Sequence, residues 1–296
     1  MLDDNIRTID AQINYLLPGG PAINRRFVCA GEEMNTGVYG PYTVKVRDGR
    51  PLKGRFSLDR EGFTLFDDKS AVKDFFDKDE VDRLYPAEVA ASVKKLTGAD
   101  FVATMGWMVR TSGDLSKYKK QTVGYTHQGG VQPPAGEAHI DTSPQRADFQ
   151  AANVYKRFRP DGPGYKRFIY GSFWRAFSDP PQDWPLAVCE AGSVAPDEGV
   201  ENVLVVADKL PQGEEAFAPI PDEDKRPGAA IFYFNPKHRW WYFSGMNRDE
   251  AIFLKFHDSD LSRAWRVPHT AFHDTSFSDA KTRASVEFRV MAFFEN

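Results

Sequence analysis

His139 and Asp141 stand two residues apart in the stretch EAHIDTSPQ (137–145), just after a loop rich in Gly and Pro. On a β-strand, residues i and i+2 point to the same face. An imidazole and a carboxylate at that spacing can reach one point in space, and a single metal ion can occupy it. A third ligand must then come from elsewhere in the chain. Six histidines are available: His127, His139, His238, His257, His269 and His273. His269, in VPHTAFHD, lies on a late predicted strand. Arg283 and Ser285 follow it in RASVEFRV, again two apart and so on one face.

Taken alone, an H-x-D pair is more often two surface residues than a metal site. The ordered histidine and R-x-S behind it favour the metal reading. His273 is the rival distal ligand. It is i+4 from His269 and would lie about 13 Å further along a straight strand, so both cannot bind one ion. His238, in PKHRWW, reads as structural or as part of a pocket rim. His257 reads as a strand-end residue. His127, in THQGG, reads as a loop residue near the mouth. Arg175, in FWRAF, either pairs with Glu190 of a neighbouring strand or contacts an acidic substrate. Arg175, Arg110 and His127 are the candidates for polar substrate contacts. Cys189, in a buried-looking strand, reads as an inert small hydrophobe.

The order H-x-D, distant His, then R-x-S resembles that of non-haem Fe(II)- and 2-oxoglutarate-dependent oxygenases. The blocks WRAFSDPPQDWPLAVCEAGS (174–193), YFNPKHRWWYFSGMNRDEAIFLKFHDS (233–259) and VPHTAF extend the likeness, as does DREGFTLFDDKSAVKDFFDKDEVDRLYPAEV in the front third. They are similar to the secondary-metabolite oxygenases that include gibberellin desaturase-like, cephamycin methoxylation and aspergillic-acid hydroxylase-like proteins. The likeness runs from about residue 40 to the end.

It implies a double-stranded β-helix (a jelly-roll, cupin-like core), with Fe(II) held by His139, Asp141 and His269. It also implies 2-oxoglutarate as cosubstrate, O2 as oxidant, and a small molecule that is hydroxylated, desaturated or cyclised. Two imidazoles and one carboxylate fill one face of an octahedral ion and leave the other open. The far carboxylate of 2-oxoglutarate needs a planar, permanently charged donor, which Arg283 supplies as a fork, with Ser285 adding a hydroxyl. Arg289 lies on the same face by alternation and is the alternative anchor.

The elements that must position these residues are mostly strands. GPYTVKVRDGRPL (40–52) and REGFTLFDD (60–68) read as two short strands joined by a turn around Asp48-Gly49. Residues 70–98 read as helix, with Ser70 as a cap, Pro86 breaking or kinking it and Gly98 ending it. DFVATMGWMVRT (100–111) reads as a strand and PQRADFQAANVYKRF (144–158) as a helix. From about 166 onward, short aromatic and β-branched runs between turn residues predict a sandwich or barrel. The expectation is one domain over 1–296. A mixed α/β part (1–99) would pack on a core of 100–296, with the helices outside.

Composition narrows the class. The 296 residues are 41% hydrophobic and 14% aromatic, with a net charge of −4. No face-sized basic run suggests nucleic acid. No apolar stretch approaches the ~20 residues of a membrane span. Two cysteines and no apolar leader in MLDDNIRTIDAQINYLL point to a soluble protein of a reducing, cytoplasmic compartment. A homodimer is compatible with this composition.

Phosphate-cradling glycine motifs are missing, which argues against nucleotide- or S-adenosylmethionine-dependent transferases. A cupin-like hydrolase or isomerase would not need Arg283 and Ser285. A dead binding module would be expected to have lost a ligand. An Fe(II)/O2 oxidase without 2-oxoglutarate stays open.

Overall fold

The computed structural model describes residues 6–29, 32–118 and 128–296. In chain order its strands are β1 (Thr8–Leu16), β2 (Asn24–Cys29), β3 (Glu32–Asn35), β4 (Tyr39–Asp48) and β5 (Phe63–Asp67). Helix α1 (Lys78–Thr97), β6 (Phe101–Thr111), β7 (Gln128–Gln132), β8 (His139–Ile140) and helix α2 (Pro144–Phe158) follow. Then come β9 (Tyr165–Ala176), β10 (Leu186–Cys189), β11 (Val200–Val206), β12 (Gly228–Ile231), β13 (Trp240–Tyr242), β14 (Glu250–Asp258), β15 (His269–Ala271) and β16 (Ala284–Glu295).

Two sheets face each other, as the jelly-roll expectation required. One has ten strands, in the order β1-β4-β13-β10-β15-β8-β12-β11-β2-β3, and the other six, β5-β14-β9-β16-β6-β7. Alternation shows why. In β1, Ile9, Ala11, Ile13 and Tyr15 are buried and the residues between them exposed. In β16, Met291 and Phe293 join the core between the sheets, while Val286, Phe288, Val290 and Ala292 face the other way. Gly171 in β9 is required by a close approach. A Cβ there would sit 2.5 Å from the Leu254 carbonyl oxygen of β14.

Helix α1 packs on the outer face of the six-stranded sheet, whereas α2, which has the bounds predicted for it, is not outside the core: its Ala147, Ala151 and Tyr155 join the cluster between the sheets. Helix α1 starts later than predicted, at Lys78. Asp77, not Ser70, caps it by accepting from the Asp79 and Glu80 amides, and Gly98 ends it at φ 71°. Ser70 instead donates to Glu88, tethering the approach segment. Pro86 lies inside one continuous helix. The buried stripe Val81, Tyr85, Val89 and Val93 presses both halves onto the outer face of β6 and β16, which offsets the lost backbone bond.

Two further expectations are corrected. The strands on either side of Asp48-Gly49 are not a hairpin: β4 pairs with β1 and β13, while β5 pairs with β14 in the other sheet. The front third is therefore not packed on a finished core, because it contributes strands to both sheets. Strand β1 was not among the predicted strands, and its partner β4 follows two intervening strands.

Arg175 also differs from both readings given above. It points away from the inner face, is 0% exposed, and pairs with Asp68 rather than Glu190, which holds Arg239. It also donates to Tyr85 Oη and to the carbonyls of Asp68 and Arg248. This buried cation ties β9 to the segment before α1 and touches no substrate space. Arg175→Met should destabilise the fold by about 3–5 kcal/mol, because a buried carboxylate and two carbonyls lose their partner. Chemical denaturation measures this. An unchanged denaturation midpoint would contradict the structural role.

Candidate metal centre

The short strand β8 is held from both sides. Ile231 of β12 and His269 of β15 both lie opposite His139 in antiparallel pairs. Residues opposite one another in such a pair share a face. The two imidazoles therefore come together, with ring centroids 4.4 Å apart. β8 ends because the chain turns into α2, where Pro144 occupies the first turn. That turn is anchored. Ser143 donates to Glu201, and Arg146 pairs with Glu201 and caps the carbonyls of Asp224 and Arg226. Asp141, between the strand and the anchored helix, has little freedom.

One ligand atom each from His139, Asp141 and His269 lies within 4.8 Å of the others, a group that could hold a metal ion. His139 Nε2 is 3.4 Å from Asp141 Oδ1. His139 Nδ1 lies 2.8 Å from the Glu137 carbonyl. A carbonyl only accepts, so Nδ1 carries the proton and Nε2 keeps its lone pair for a metal. His269 Nδ1 repeats the arrangement with the Val267 carbonyl at 3.4 Å. Phe256 stacks on the His269 ring at 5.3 Å and 13°, fixing its plane and shielding it from water.

The electrostatics suit a cation. Burial, helped by the nearby His139, pushes His269 down to about 4, so it is neutral at pH 7. Burial would lower His139, but its contact with Asp141 outweighs this and raises it. Burial would raise the Asp141 carboxyl. The Arg289 guanidinium and the two histidines overcome that and hold it well below the usual carboxylate range.

The inner face of β16 carries Ser285, Glu287 and Arg289 in alternation, with Arg283 just before the strand begins. They do different work. Arg289 donates to Asp141 Oδ2 through Nε at 3.1 Å, with Nη2 at 2.9 Å. Glu287 accepts both fork nitrogens of Arg110, at 2.9 and 3.1 Å, and Arg110 also donates to the Pro133 carbonyl. Arg283 and Ser285 are each 1% exposed. Arg283 donates to the Trp184 carbonyl at 2.9 Å and lies over the Trp174 ring. Its Nε and the Ser285 Oγ have no hydrogen-bond partner among the described residues. Burial, then the proximity of Arg110, push the Arg283 guanidinium down to about 9. A buried cation and a buried hydroxyl left unmatched on one face are the complement of an anion.

Of the other expected residues, His238 bonds Tyr15 and Glu198, a structural role. His257 is buried against Phe168 and Trp265. His273 stacks on Trp184 away from the metal group. Burial pushes the Cys189 thiol up to about 12, so it is inert. His127 lies outside the described residues. Sequence reasoning missed the Arg110–Glu287 and Asp141–Arg289 pairs, although the alternation R-x-S-x-E-x-R was visible. It also missed a cavity of about 240 Å³ bounded by Met105, Tyr170, Met291 and Arg289 on the sheet and by Gln150 and Asn153 on α2.

A family model described as an oxidoreductase/YMDC permease-like domain matches residues 13–293. The hydroxylase/desaturase efuI of Hormonema carpetanum is 30% identical, over 98% of this chain and 96% of its own. The alpha-ketoglutarate-dependent dioxygenase phiK of a fungal species is 30% identical over 85% of this chain and 84% of its own. The Fe(II)/2-oxoglutarate-dependent dioxygenase nvfI of Aspergillus novofumigatus is 27% identical over 86% and 84%. The solved structure of the iron and alpha-ketoglutarate-dependent endoperoxidase NvfI superposes with a TM-score of 0.74. It covers 98% of this chain and 99% of its own at 24% identity, a shared fold.

Proposed function

Because the chain belongs to the family of hydroxylase/desaturases and Fe(II)/2-oxoglutarate-dependent dioxygenases, we propose that its single domain oxidises a small secondary metabolite at an iron held by His139, Asp141 and His269. The chain is an oxidoreductase with Fe(II), 2-oxoglutarate and O2 as its reactants and cofactors. The donor set supports iron: two imidazoles and one ionised carboxylate from one side suit non-haem Fe(II). The observation that carries the cosubstrate is the unmatched pair of Arg283 Nε and Ser285 Oγ. A dicarboxylate's distal end would satisfy both.

When bound, Fe(II) would supply a site at which O2, the oxidant, takes up electrons from two sources: 2-oxoglutarate, which becomes succinate and CO2, and the substrate, each giving two. The chain's own residues do the rest. Glu137 and Val267 carbonyls orient the two imidazoles. Arg110 and Glu287 neutralise each other between the metal group and Arg283. Phe256 and the rings around it exclude water. The 240 Å³ cavity beside Arg289, with its thioethers, Tyr170 and two amides, is the space in which a small molecule would sit. Its only charged wall residue among the described residues is already paired with Asp141, so the cavity suits a neutral, largely apolar molecule.

No helix of the described residues is long and apolar enough to cross a membrane. The composition supports a cytoplasmic location, and Arg110, expected as a substrate contact, has its fork engaged by Glu287 instead.

Two measurements need no knowledge of the substrate. Fe(II)-loaded protein titrated with 2-oxoglutarate under argon should develop a broad visible absorption. Intact metal binding with no such band would remove 2-oxoglutarate as cosubstrate and leave the Fe(II)/O2 oxidase. Mn(II) should also raise the thermal unfolding midpoint, since a ligand at 100 times its Kd adds about 2.7 kcal/mol. No shift at millimolar Mn(II) would speak against a metal centre.

A further inference from the structure

Arg289 does work that no relative's description assigns to it. By alternation it shares a face with Arg283, so it is placed to bind an anion in the same way. Instead its Nε (3.1 Å) and Nη2 (2.9 Å) both converge on one oxygen, Oδ2 of Asp141. The other oxygen, Oδ1, is the one that faces His139 Nε2, at 3.4 Å. Both side chains are largely buried, at 11% and 12% exposed. Arg289 also forms a wall of the 240 Å³ cavity, so it stands between that space and the carboxylate.

We infer that Arg289 is a positioning residue that occupies Oδ2 of Asp141 and so presents this carboxylate to the metal through Oδ1 alone. A carboxylate left to rotate can offer both oxygens and close a neighbouring position. The Nε hydrogen bond and the Nη2 ion-pair contact on that one oxygen oppose such rotation. This inference rests on the assignment of His139, Asp141 and His269 as metal ligands.

The test uses Co(II) alone as probe, read by its visible absorption in equilibrium titrations of the full chain. Arg289→Gln should bind Co(II) about 10–100-fold more weakly, the usual effect of losing an outer partner of a ligand. The shape of its visible spectrum should change as well. Arg289→Lys keeps the charge with a single donor nitrogen on a different stem, and should fall between Gln and the unmodified protein. Either variant binding Co(II) as tightly as the unmodified protein, or more tightly, overturns the inference. His139→Ala separates the two levels of the argument. If it binds Co(II) normally, the metal centre itself is misassigned. If it loses Co(II) while both Arg289 variants bind normally, only the role of Arg289 falls.

Discussion

Asp141→Asn should lose metal binding by at least about 100-fold, and with it all 2-oxoglutarate turnover. Outer partners of metal ligands alone are worth about 10–100-fold, and this change removes a ligand's charge. The substitution keeps the side chain's size, so packing against the start of α2 survives. Electrostatics make the loss large. The carboxyl is held ionised against burial chiefly by Arg289, and a neutral amide leaves that guanidinium and the metal ion facing each other without a counter-charge. The ion would then be held by two imidazoles beside a cation. His139→Ala should behave in the same way, by loss of Nε2. Binding is read by titration with Mn(II) or Co(II), and turnover by succinate formation. Full activity in Asp141→Asn would refute the ligand assignment.

Arg283→Gln should weaken 2-oxoglutarate binding by about 2–4 kcal/mol, or roughly 30- to 1,000-fold, while metal affinity changes little. A buried guanidinium with an unmatched nitrogen is costly without an anion and favourable with one. The variant should therefore be as stable as the unmodified protein, or more so, when 2-oxoglutarate is absent. It should gain less stability when 2-oxoglutarate is added. Ser285→Ala removes one neutral donor to a charged acceptor and should cost about tenfold. Titration of the visible band under argon gives both affinities. An Arg283→Gln protein with unchanged affinity would remove Arg283 as the anchor of the anion.

Much of the site's geometry follows from one local rule. Side chains alternate along a strand, so His139 with Asp141, and Arg283 with Ser285, Glu287 and Arg289, must share a face wherever the chain is extended. The helix over 144–158 was legible for a similar reason: its apolar period, the proline at its start and RPDGPG at its end are all short-range signals. The β-rich texture after residue 166 made the jelly-roll legible as a class.

Only the tertiary structure decided which residues work together. Alternation places Arg283 and Arg289 on one face but does not distinguish them. What separates them is that β8 brings Asp141 to Arg289, while among the described residues the Arg283 guanidinium meets the Trp184 carbonyl and the Trp174 ring. The same limit applied to Arg175, whose partner Asp68 is far away in sequence, and to β4 and β5, which a local turn signal joined and the sheets separated. It is the pairing of β15 with β8 that brings His269, rather than His273, beside His139. Periodicity is set by bonds between neighbouring residues and is written into any short stretch. Partnership depends on strand pairings across long loops, whose energy belongs to two distant segments together and to neither alone.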